Sequence, residues 1–334
     1  MKFFEYEDNL NQLFSEEIDL LKSGNENLKF LLIGAKGFIG SHLVEYFFPK
    51  FLEFNLNFEL YIITRTSYYQ CLFNGNKTYW KLIEEIPIGI THVFHLAVSS
   101  VPKSLNEFEK VELESYFNTR KKIDEICFKN RPHFIYLSSG SIFGRDLIKK
   151  SFNKKKDNCI ESLFKEDPYT CLKNLDESHF YLKSKLLKYP FVLINLYNVL
   201  LPNQLSRPHF AISQFIYSAV NSQKIVVKSP QTLRSYIGLQ EIMLAFLLAS
   251  NSKKNFLRFS LGSPIPISMI DLAECVANFY GKSDVIVEDI KESSEYSIYH
   301  PEQFEIHRNL LLILKINPFN YISGLLKNIR TNKF

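Results

Sequence analysis

Short runs of consecutive apolar residues recur through the first two thirds of the chain, and stretches with helical spacing of apolar positions separate them. The runs lie at residues 30–33, 60–63, 92–96, 134–137 and 191–194. Runs of this kind are typical of strands that are buried on both faces, as in parallel sheets. Because they alternate with predicted helices, the pattern predicts a doubly wound α/β fold with right-handed crossovers.

The two ends of the chain depart from this alternation. Residues 9–22 carry apolar side chains at helical spacing and predict an additional helix ahead of the first strand. After Pro202, helices are predicted at about 210–221 and 239–250, with a short strand over residues 224–228 between them. The remaining pattern is mixed, which predicts a smaller C-terminal α/β domain whose segments leave and rejoin the sheet.

Length, composition and charge restrict the class of protein. The 334 residues suit two domains, and 46% hydrophobic residues suffice for a large core. No apolar run reaches the roughly 18 residues of a membrane helix, and no signal-peptide pattern is found, so a cytoplasmic protein without membrane contact is expected. The five cysteines are scattered without a CxxC pair, which argues against a disulfide framework. A net charge of +5 suits an anionic small molecule, and no nucleic-acid partner is predicted.

A glycine-rich turn follows the first apolar run. Its predicted cofactor-binding residues are Gly34, Lys36, Gly37, Phe38, Ile39 and Gly40. The glycines permit a tight turn, close approach of a pyrophosphate, and close packing of helix on strand. The next helix, predicted over residues 41–48 and ended by Pro49, offers its N-terminal N–H groups to phosphates. A strand before this turn and a helix after it predict a Rossmann-type domain that binds a nicotinamide dinucleotide.

The end of the second predicted strand bears on the choice of dinucleotide. An NAD site typically has an acidic residue there for the ribose 2′-hydroxyl. This chain has Arg65 within residues 64–67 and no acid. An arginine can form a forked, charge-assisted pair with a 2′-phosphate. The sequence therefore favours NADP(H), and NAD(H) remains the alternative if Arg65 is only a surface residue.

Two Tyr-x-x-x-Lys pairs can supply the proton transfer that hydride chemistry at a sugar carbon requires. A lysine ammonium lowers the pKa of a nearby tyrosine, and the i, i+4 spacing puts both on one helix face. Tyr169 and Lys173 lie at a predicted helix start, with room for a full helix before the next strand. Tyr181 and Lys185 lie too close to that strand to reach its carboxyl end. The spacing therefore predicts Tyr169 and Lys173 as the catalytic pair.

A serine hydroxyl can hold the reacting oxygen. Three serines follow the run at residues 134–137, namely Ser138, Ser139 and Ser141. From the residues alone the three remain alternatives, because each is equally compatible with a turn hydroxyl that bonds the backbone.

Two histidines in one predicted strand were considered as metal ligands. His92 and His95 are three residues apart, so they face opposite sides of a sheet and make a poor metal pair. No metal site is predicted, and His95 is interpreted as structural.

In this order the motifs resemble those of the extended short-chain dehydrogenase/reductase family, which contains NAD(P)-dependent nucleotide-sugar epimerases, dehydratases and reductases. The resemblance covers about residues 30–281. Besides the glycine turn, the similar segments are residues 95–98 (HLAA in the family), 138–144 (SSxxxYG), 168–177 (PYxxxKxxxE), 195–202 (RxxNVYGP) and 234–241 (RDYIHVDD).

The resemblance implies roles for individual residues. It selects Ser139 as the catalytic serine beside Tyr169 and Lys173, and it implies that the latter two also contact the cofactor. Leu96 and Ala97 are expected under the nicotinamide half of the cofactor. The residues implied to bind the nucleotide sugar are Ser99, Ser139, Asn198 and Arg234, the last two at its diphosphate.

Departures from the family pattern narrow the expected reaction. Gly140 and Ser141 stand where dehydratases carry Asp-Glu and decarboxylases carry a Glu, which argues against elimination of water and decarboxylation. Asn195 replaces an arginine and Leu201 a glycine. We therefore expect a reductase of a nucleotide-linked 4-keto-deoxysugar that uses NADPH in surface-polysaccharide sugar biosynthesis. The alternatives are an NAD-dependent nucleotide-sugar epimerase and a non-catalytic cofactor-binding member of the family.

The pattern and the resemblance together predict the organisation of the chain. Residues 1–27 form a helical extension, and residues 28–202 with about 231–252 form the NAD(P)-binding domain. The nucleotide-sugar-binding domain is expected at residues 203–230 and 253–334. Since members of the family often pair through two helices per subunit, the resemblance implies a homodimer.

Overall fold

The computed structural model describes residues 3–24, 27–63, 77–97, 110–143, 168–281, 283–288, 297–314 and 316–329. In these ranges the strands are β1 (Leu28–Ile33), β2 (Phe58–Ile63), β3 (Lys77–Lys81), β4 (His92–His95), β5 (His133–Ser139), β6 (Phe191–Leu196), β7 (Asn198–Val199), β8 (Ile225–Val227), β9 (Leu233–Arg234), β10 (Tyr236–Ile237), β11 (Phe256–Leu261), β12 (Ile267–Ser268), β13 (Val285–Val287) and β14 (Ile298–Tyr299). The α-helices are α1 (Phe3–Gly24), α2 (Phe38–His42), α3 (Phe48–Glu53), α4 (Lys110–Asn130), α5 (Pro168–Leu187), α6 (Ala211–Val220), α7 (Leu239–Ser250), α8 (Met269–Tyr280), α9 (Arg308–Ile313) and α10 (Pro318–Leu326).

A seven-stranded parallel sheet lies at the centre of the fold, with strand order β11-β6-β5-β4-β1-β2-β3. Phe30 of β1 is in register with Leu60 of β2 and His92 of β4. Because side chains alternate along a strand, Leu32 packs into the apolar cluster on one face and Leu31 into the cluster on the other. The predicted Rossmann-type parallel sheet is therefore confirmed.

The sheet has two strands more than the five apolar runs predict. Charged residues interrupt the sequences of both edge strands, so neither strand forms a continuous apolar run. β3 begins with Lys77 and ends with Lys81, and β11 has Arg258 among apolar residues. Edge strands are paired on one side only, so charged residues occur in their sequences more readily than in those of central strands. These two strands therefore lack the continuous apolar signature of the buried ones.

The helical segment after the glycine turn differs from the prediction. The sequence predicts a helix over residues 41–48 that ends before Pro49, but α2 begins at Phe38, a π-helical turn spans Leu43–Phe47, and α3 runs on to Glu53. Pro49 lies in the first turn of α3, where a missing N–H costs little. The helical path therefore continues through the proline.

The N-terminal helix α1 packs on α7. It is longer than the predicted residues 9–22, and its apolar face is buried through Leu10, Phe14 and Ile18. The contact also has polar partners, since Asn251 Nδ2 donates to Glu17 Oε2 at 2.7 Å. Because α1 packs on it, α7 is almost entirely buried although it flanks the sheet.

The C-terminal part adds small sheets that carry predicted substrate-binding residues. β7 pairs with β10, β9 pairs with both β12 and β14, and β8 pairs with β13. Asn198 begins β7 and Arg234 ends β9. The exact domain boundaries stay a prediction. Within the described ranges, no helix combines the length and the apolarity needed to cross a bilayer.

Candidate active site

The glycine turn between β1 and α2 is shaped for close backbone approach. Gly34 has φ +98°, and a Cβ atom on it would lie 2.9 Å from the backbone nitrogen of Ala97. A Cβ on Gly40 would lie 2.1 Å from Gly34 O, so the helix packs directly on the turn. Gly37 N donates to Gly34 O at 2.9 Å and precedes the first residue of α2. A side chain at positions 34 or 40 would therefore disrupt this cradle.

The end of β4 forms the neighbouring wall. Leu96 N donates to Ile33 O at 2.9 Å, which brings the predicted pair Leu96 and Ala97 alongside Gly34. In the turn itself Lys36 is exposed, whereas Phe38 and Ile39 are half-buried. The residues present therefore fit a dinucleotide at the carboxyl ends of the strands, where such folds bind ligands.

The predicted catalytic pair lies at the start of α5. Tyr169 is its second residue, and Lys173 Nζ lies 5.8 Å from the centre of the Tyr169 ring. The competing pair lies near the other end of this helix, where the Tyr181 ring packs 4.8 Å from Phe256 at the beginning of β11. Tyr169 thus lies towards the carboxyl ends of the strands, where the glycine turn also lies. Its catalytic role stays a prediction.

Lys173 is buried under the site. Its Nζ donates to Leu137 O at 2.5 Å and lies 4.6 Å from the centre of the Tyr136 ring. Burial lowers the pKa of Lys173 to about 8, while the nearby carboxylates of Asp176 and Glu177 oppose that shift. A lysine with this pKa can lose its proton more readily than an exposed one.

The three candidate serines have different partners at the end of β5. Ser138 Oγ donates to Glu177 Oε1 at 2.5 Å, and Ser141 Oγ accepts from Thr170 Oγ1 at 3.1 Å. Ser139 Oγ accepts from Ser141 N at 3.1 Å. Ser138 and Ser141 are thus tied to α5, so Ser139 best fits the catalytic position, although its role stays a prediction.

A buried carboxylate network lies next to this serine turn. Glu177 Oε1 also accepts from Asn195 Nδ2 at 2.9 Å, and Glu177 Oε2 pairs with Arg258 Nη2 at 3.2 Å. Arg258 Nε in turn donates to Asn195 Oδ1 at 2.9 Å. Burial raises the pKa of Glu177, and the hydrogen bond from Ser138 and the charge of Arg258 lower it.

A second buried carboxylate, Asp176, was not identified from the sequence. Tyr136 Oη donates to Asp176 Oδ2 at 2.9 Å, Tyr116 Oη donates to Oδ1, and Arg120 Nη2 lies 2.9 Å from Oδ1. These partners lie on α4 and β5, which are distant in sequence from Asp176. No local spacing in the sequence therefore predicts this network. The network fixes α5 against the sheet beneath Lys173.

Gly140, the first residue of a 3₁₀ turn at Gly140–Phe143, is in contact with an aromatic ring. A Cβ atom built on it would lie 2.7 Å from Cε1 and Cζ of Tyr197. The Tyr197 ring itself packs against Tyr299, with 4.7 Å between the ring centroids. The position that would carry a carboxylate in an eliminating enzyme is therefore filled by this ring.

The predicted substrate-binding residues that the structure describes lie on the small sheets. Asn198 Nδ2 donates to Ser235 O at 3.0 Å. Arg234 Nη1 donates to Ser297 O at 3.1 Å, and its guanidinium lies 5.9 Å from the centre of the Tyr299 ring. Arg65 and Ser99 lie outside the described residues, so the predicted 2′-phosphate contact and the predicted Ser99 contact stay predictions.

His92 and His95 face opposite sides of the sheet, as their spacing predicts. The His92 ring lies 5.1 Å from Phe30 in one apolar cluster, and the His95 ring lies 5.5 Å from Phe180 in the other. Burial lowers the pKa of each histidine to about 3, with Lys173 adding to the effect at His95. Both rings are therefore neutral side chains of the core.

Comparisons with known proteins agree with this geometry. The model of the NAD dependent epimerase/dehydratase family matches residues 30–262. A dTDP-D-glucose 4,6-dehydratase of Dictyostelium discoideum is 25% identical over 279 residues, which are 75% of this chain and 62% of that protein. The chain thus spans less than two thirds of the length of that relative.

Solved structures give the same fold. A UDP-N-acetylglucosamine 4-epimerase from Methanobrevibacter ruminantium is 18% identical, with a TM-score of 0.66, over 91% of this chain and 97% of that one. A UDP-glucose 4-epimerase of Thermus thermophilus, solved with NAD, is 17% identical, with a TM-score of 0.65, over 91% and 100%. At these identities the likeness concerns the fold.

Proposed function

Because the chain belongs to the NAD dependent epimerase/dehydratase family, an NAD(P)-dependent enzyme family, we propose that it transfers hydride at a carbon of a nucleotide sugar without eliminating water. The observation that carries this proposal is the closed position at Gly140, where the Tyr197 ring leaves no room for a side chain. Elimination of water needs an acid and a base on adjacent carbons. Tyr169 can serve one carbon only, and no carboxylate stands at residues 140–141 to serve the other.

The residues of the site divide the work as follows. The glycine turn and Lys173 hold the dinucleotide, which when bound supplies or accepts the hydride. Tyr169 gives its proton to the sugar oxygen, Ser139 orients that oxygen, and the Lys173 ammonium lowers the pKa of the tyrosine. Arg234 supplies positive charge for the diphosphate.

The finer proposal is a reductase of a nucleotide-linked 4-keto-deoxysugar that uses NADPH. It rests on Arg65 in place of an acid after β2, since a guanidinium suits a 2′-phosphate. Fluorescence titrations with NADH and with NADPH measure the two dissociation constants and so test the cofactor preference. Tighter binding of NADH than of NADPH would refute the NADP(H) preference.

A nucleotide-sugar epimerase is the second candidate, because solved 4-epimerases share the fold over nearly the whole chain. Incubation with a panel of nucleotide sugars and their 4-keto forms separates the two. A reductase consumes one NADPH per product, which lowers the absorbance at about 340 nm. An epimerase converts the sugar with no net change in cofactor, and release of water from any sugar on the panel would overturn the proposal itself.

We also propose that two copies of the chain pair through α4 and α5. Large apolar side chains are exposed on these helices, namely Phe117, Phe128, Leu175, Leu182 and Leu186. A second copy would bury them in one patch, as a twofold interface requires. Leu182→Asp should convert a dimer to monomers in sedimentation, whereas Tyr217→Asp, at an exposed residue of α6, should not. A monomeric wild type contradicts this pairing.

A further inference from the structure

Arg258 is a partly exposed arginine beside the serine turn, and the proposed reaction assigns no task to it. It lies on β11, its side chain is 38% exposed, and its Nη2 is 3.2 Å from Glu177 Oε2. Its Nε donates to Asn195 Oδ1 at 2.9 Å, so one guanidinium holds two buried side chains. A planar fork of this kind fixes geometry better than a point charge would.

The Arg258 side chain reaches both ends of the segment that carries Ser139. At the start, the Glu177 carboxylate that it pairs with accepts from Ser138 Oγ at 2.5 Å. At the end, its guanidinium lies 4.8 Å from the centre of the Phe143 ring. Asn195 Nδ2 adds a long contact of 3.4 Å to Ser139 O. Arg258 thus contacts the end of the serine turn (residues 138–143) directly at Phe143, and its start at Ser138 through the Glu177 carboxylate.

The Glu177 carboxylate depends on its cation. The groups that face it are Ser138 from β5, Asn195 from β6, Lys173 from its own helix and Arg258 from β11. Burial raises the pKa of Glu177, and Lys173 is engaged with Leu137 O. Without Arg258 the carboxyl would take up a proton at higher pH, and its hold on Ser138 would weaken.

Position 195 is a second place from which a side chain reaches Glu177. Proteins that the chain resembles carry an arginine where this chain has Asn195, whose side chain contacts Glu177 directly. β6 and β11 are adjacent parallel strands, and Asn195 is in register with Ser260, two residues after Arg258. An arginine one strand away can therefore deliver its charge to the same carboxylate.

We propose that Arg258 is a positioning residue that keeps Glu177 charged and thereby holds the serine turn, with Ser139, in its catalytic geometry. This inference rests on the proposed function, since it assigns Ser139 to catalysis. The structural part of the inference, that Arg258 keeps residues 138–143 ordered, can be measured without any turnover.

The test compares Arg258→Gln with Arg308→Gln, an exposed arginine outside the site. Arg258→Gln should lower kcat by about 10- to 100-fold, because small misplacement of a catalytic group has effects of that size. The dissociation constant of the dinucleotide should stay within about twofold, and the acidic limb of the pH profile should move to higher pH. Arg308→Gln should match the wild type.

Rescue separates positioning from general damage. The double variant Asn195→Arg, Arg258→Ser returns the guanidinium to the other strand and should recover most of the lost kcat. Where Arg258→Gln folds poorly, Arg258→Lys keeps the charge without the fork and should give an intermediate rate.

Hydrogen exchange of the amides at residues 139–143 gives a readout that needs no substrate. Exchange there should quicken at least about tenfold in Arg258→Gln and return towards the wild-type rate in the double variant. Wild-type exchange or an unchanged pH profile in Arg258→Gln overturns the inference. Lack of turnover in the wild type itself would instead count against the proposed function, and the exchange result would still decide the role of Arg258.

Discussion

The ring of Tyr197 occupies the space into which a side chain at position 140 would extend, since a Cβ there would lie 2.7 Å from two of its carbons. The two residues are 57 positions apart in sequence and come together because β5 and β6 are neighbours in the sheet. The ring is buried and also packs against Tyr299, at 4.7 Å between centroids. The Tyr197 ring can pack in this place only because residue 140 is a glycine and carries no carboxylate side chain.

Gly140→Ala tests this packing directly. The added methyl must displace a ring held on both sides, and overpacking of this kind costs typically about 1–3 kcal/mol. Urea unfolding should show that loss of stability. Gly24→Ala, where nothing lies within 4 Å of the added Cβ, is the matched control and should change stability by less than about 0.5 kcal/mol. Equal stability of the two variants would mean that the ring yields easily.

The choice between the two Tyr-Lys pairs makes a second prediction. Tyr169→Phe removes the proposed proton donor and should lower kcat by about 10²- to 10⁴-fold, with little change in dinucleotide binding. Tyr181→Phe keeps the ring that packs on Phe256 and should leave kcat within about twofold. Steady-state kinetics of both variants decide the matter, and the reverse result would move the active site to the other end of α5.

Sequence patterns predict the central strands and the site residues that adjoin them, because each is signalled locally. The runs that became β1, β2, β4, β5 and β6 are apolar throughout, and Tyr169 precedes Lys173 by one helical turn. Arg258 and Asp176 carry no local signal, because their partners are distant in sequence: Arg258 is joined to Asn195 63 positions away, and Asp176 to Tyr116 60 positions away. Pairings of that kind exist only once the sheet has brought the strands together.

The buried ammonium of Lys173 leads to a prediction on pH. Burial lowers its pKa to about 8, so in the free enzyme its charge is lost as the pH rises through that value. For reduction, which needs a protonated Tyr169 and a charged lysine, kcat/KM should therefore fall above about pH 8. Lys173→Arg keeps its charge at all of these pH values, so its residual activity should lack this limb. Lys185→Arg is the matched control and should keep the wild-type profile, and a Lys173→Arg profile with the same limb would contradict the assignment.

The attachment of α1 includes a buried acid whose titration should affect stability. Tyr6 Oη donates to Glu241 Oε1, and Tyr321 Oη donates to the same oxygen at 2.9 Å. Burial raises the pKa of Glu241 from 4.5 to about 7, and backbone hydrogen bonds and the hydrogen bond from Tyr321 oppose that shift. In the unfolded chain the group returns to its ordinary pKa.

The sign of the effect follows from linkage. A raised pKa in the folded state gives a contribution to stability that is fully present below about pH 4.5 and lost as the pH rises through about 7. The size is about 3 kcal/mol, since one pKa unit corresponds to about 1.36 kcal/mol. Glu241→Gln keeps an oxygen that accepts from both tyrosines but does not titrate. Urea unfolding at a series of pH values should therefore show the variant gaining on the wild type by about 2–3 kcal/mol between pH 5 and pH 8. Glu274→Gln, at an exposed glutamate of α8, should retain the wild-type dependence, and parallel curves for Glu241→Gln and the wild type would show that Glu241 does not control it.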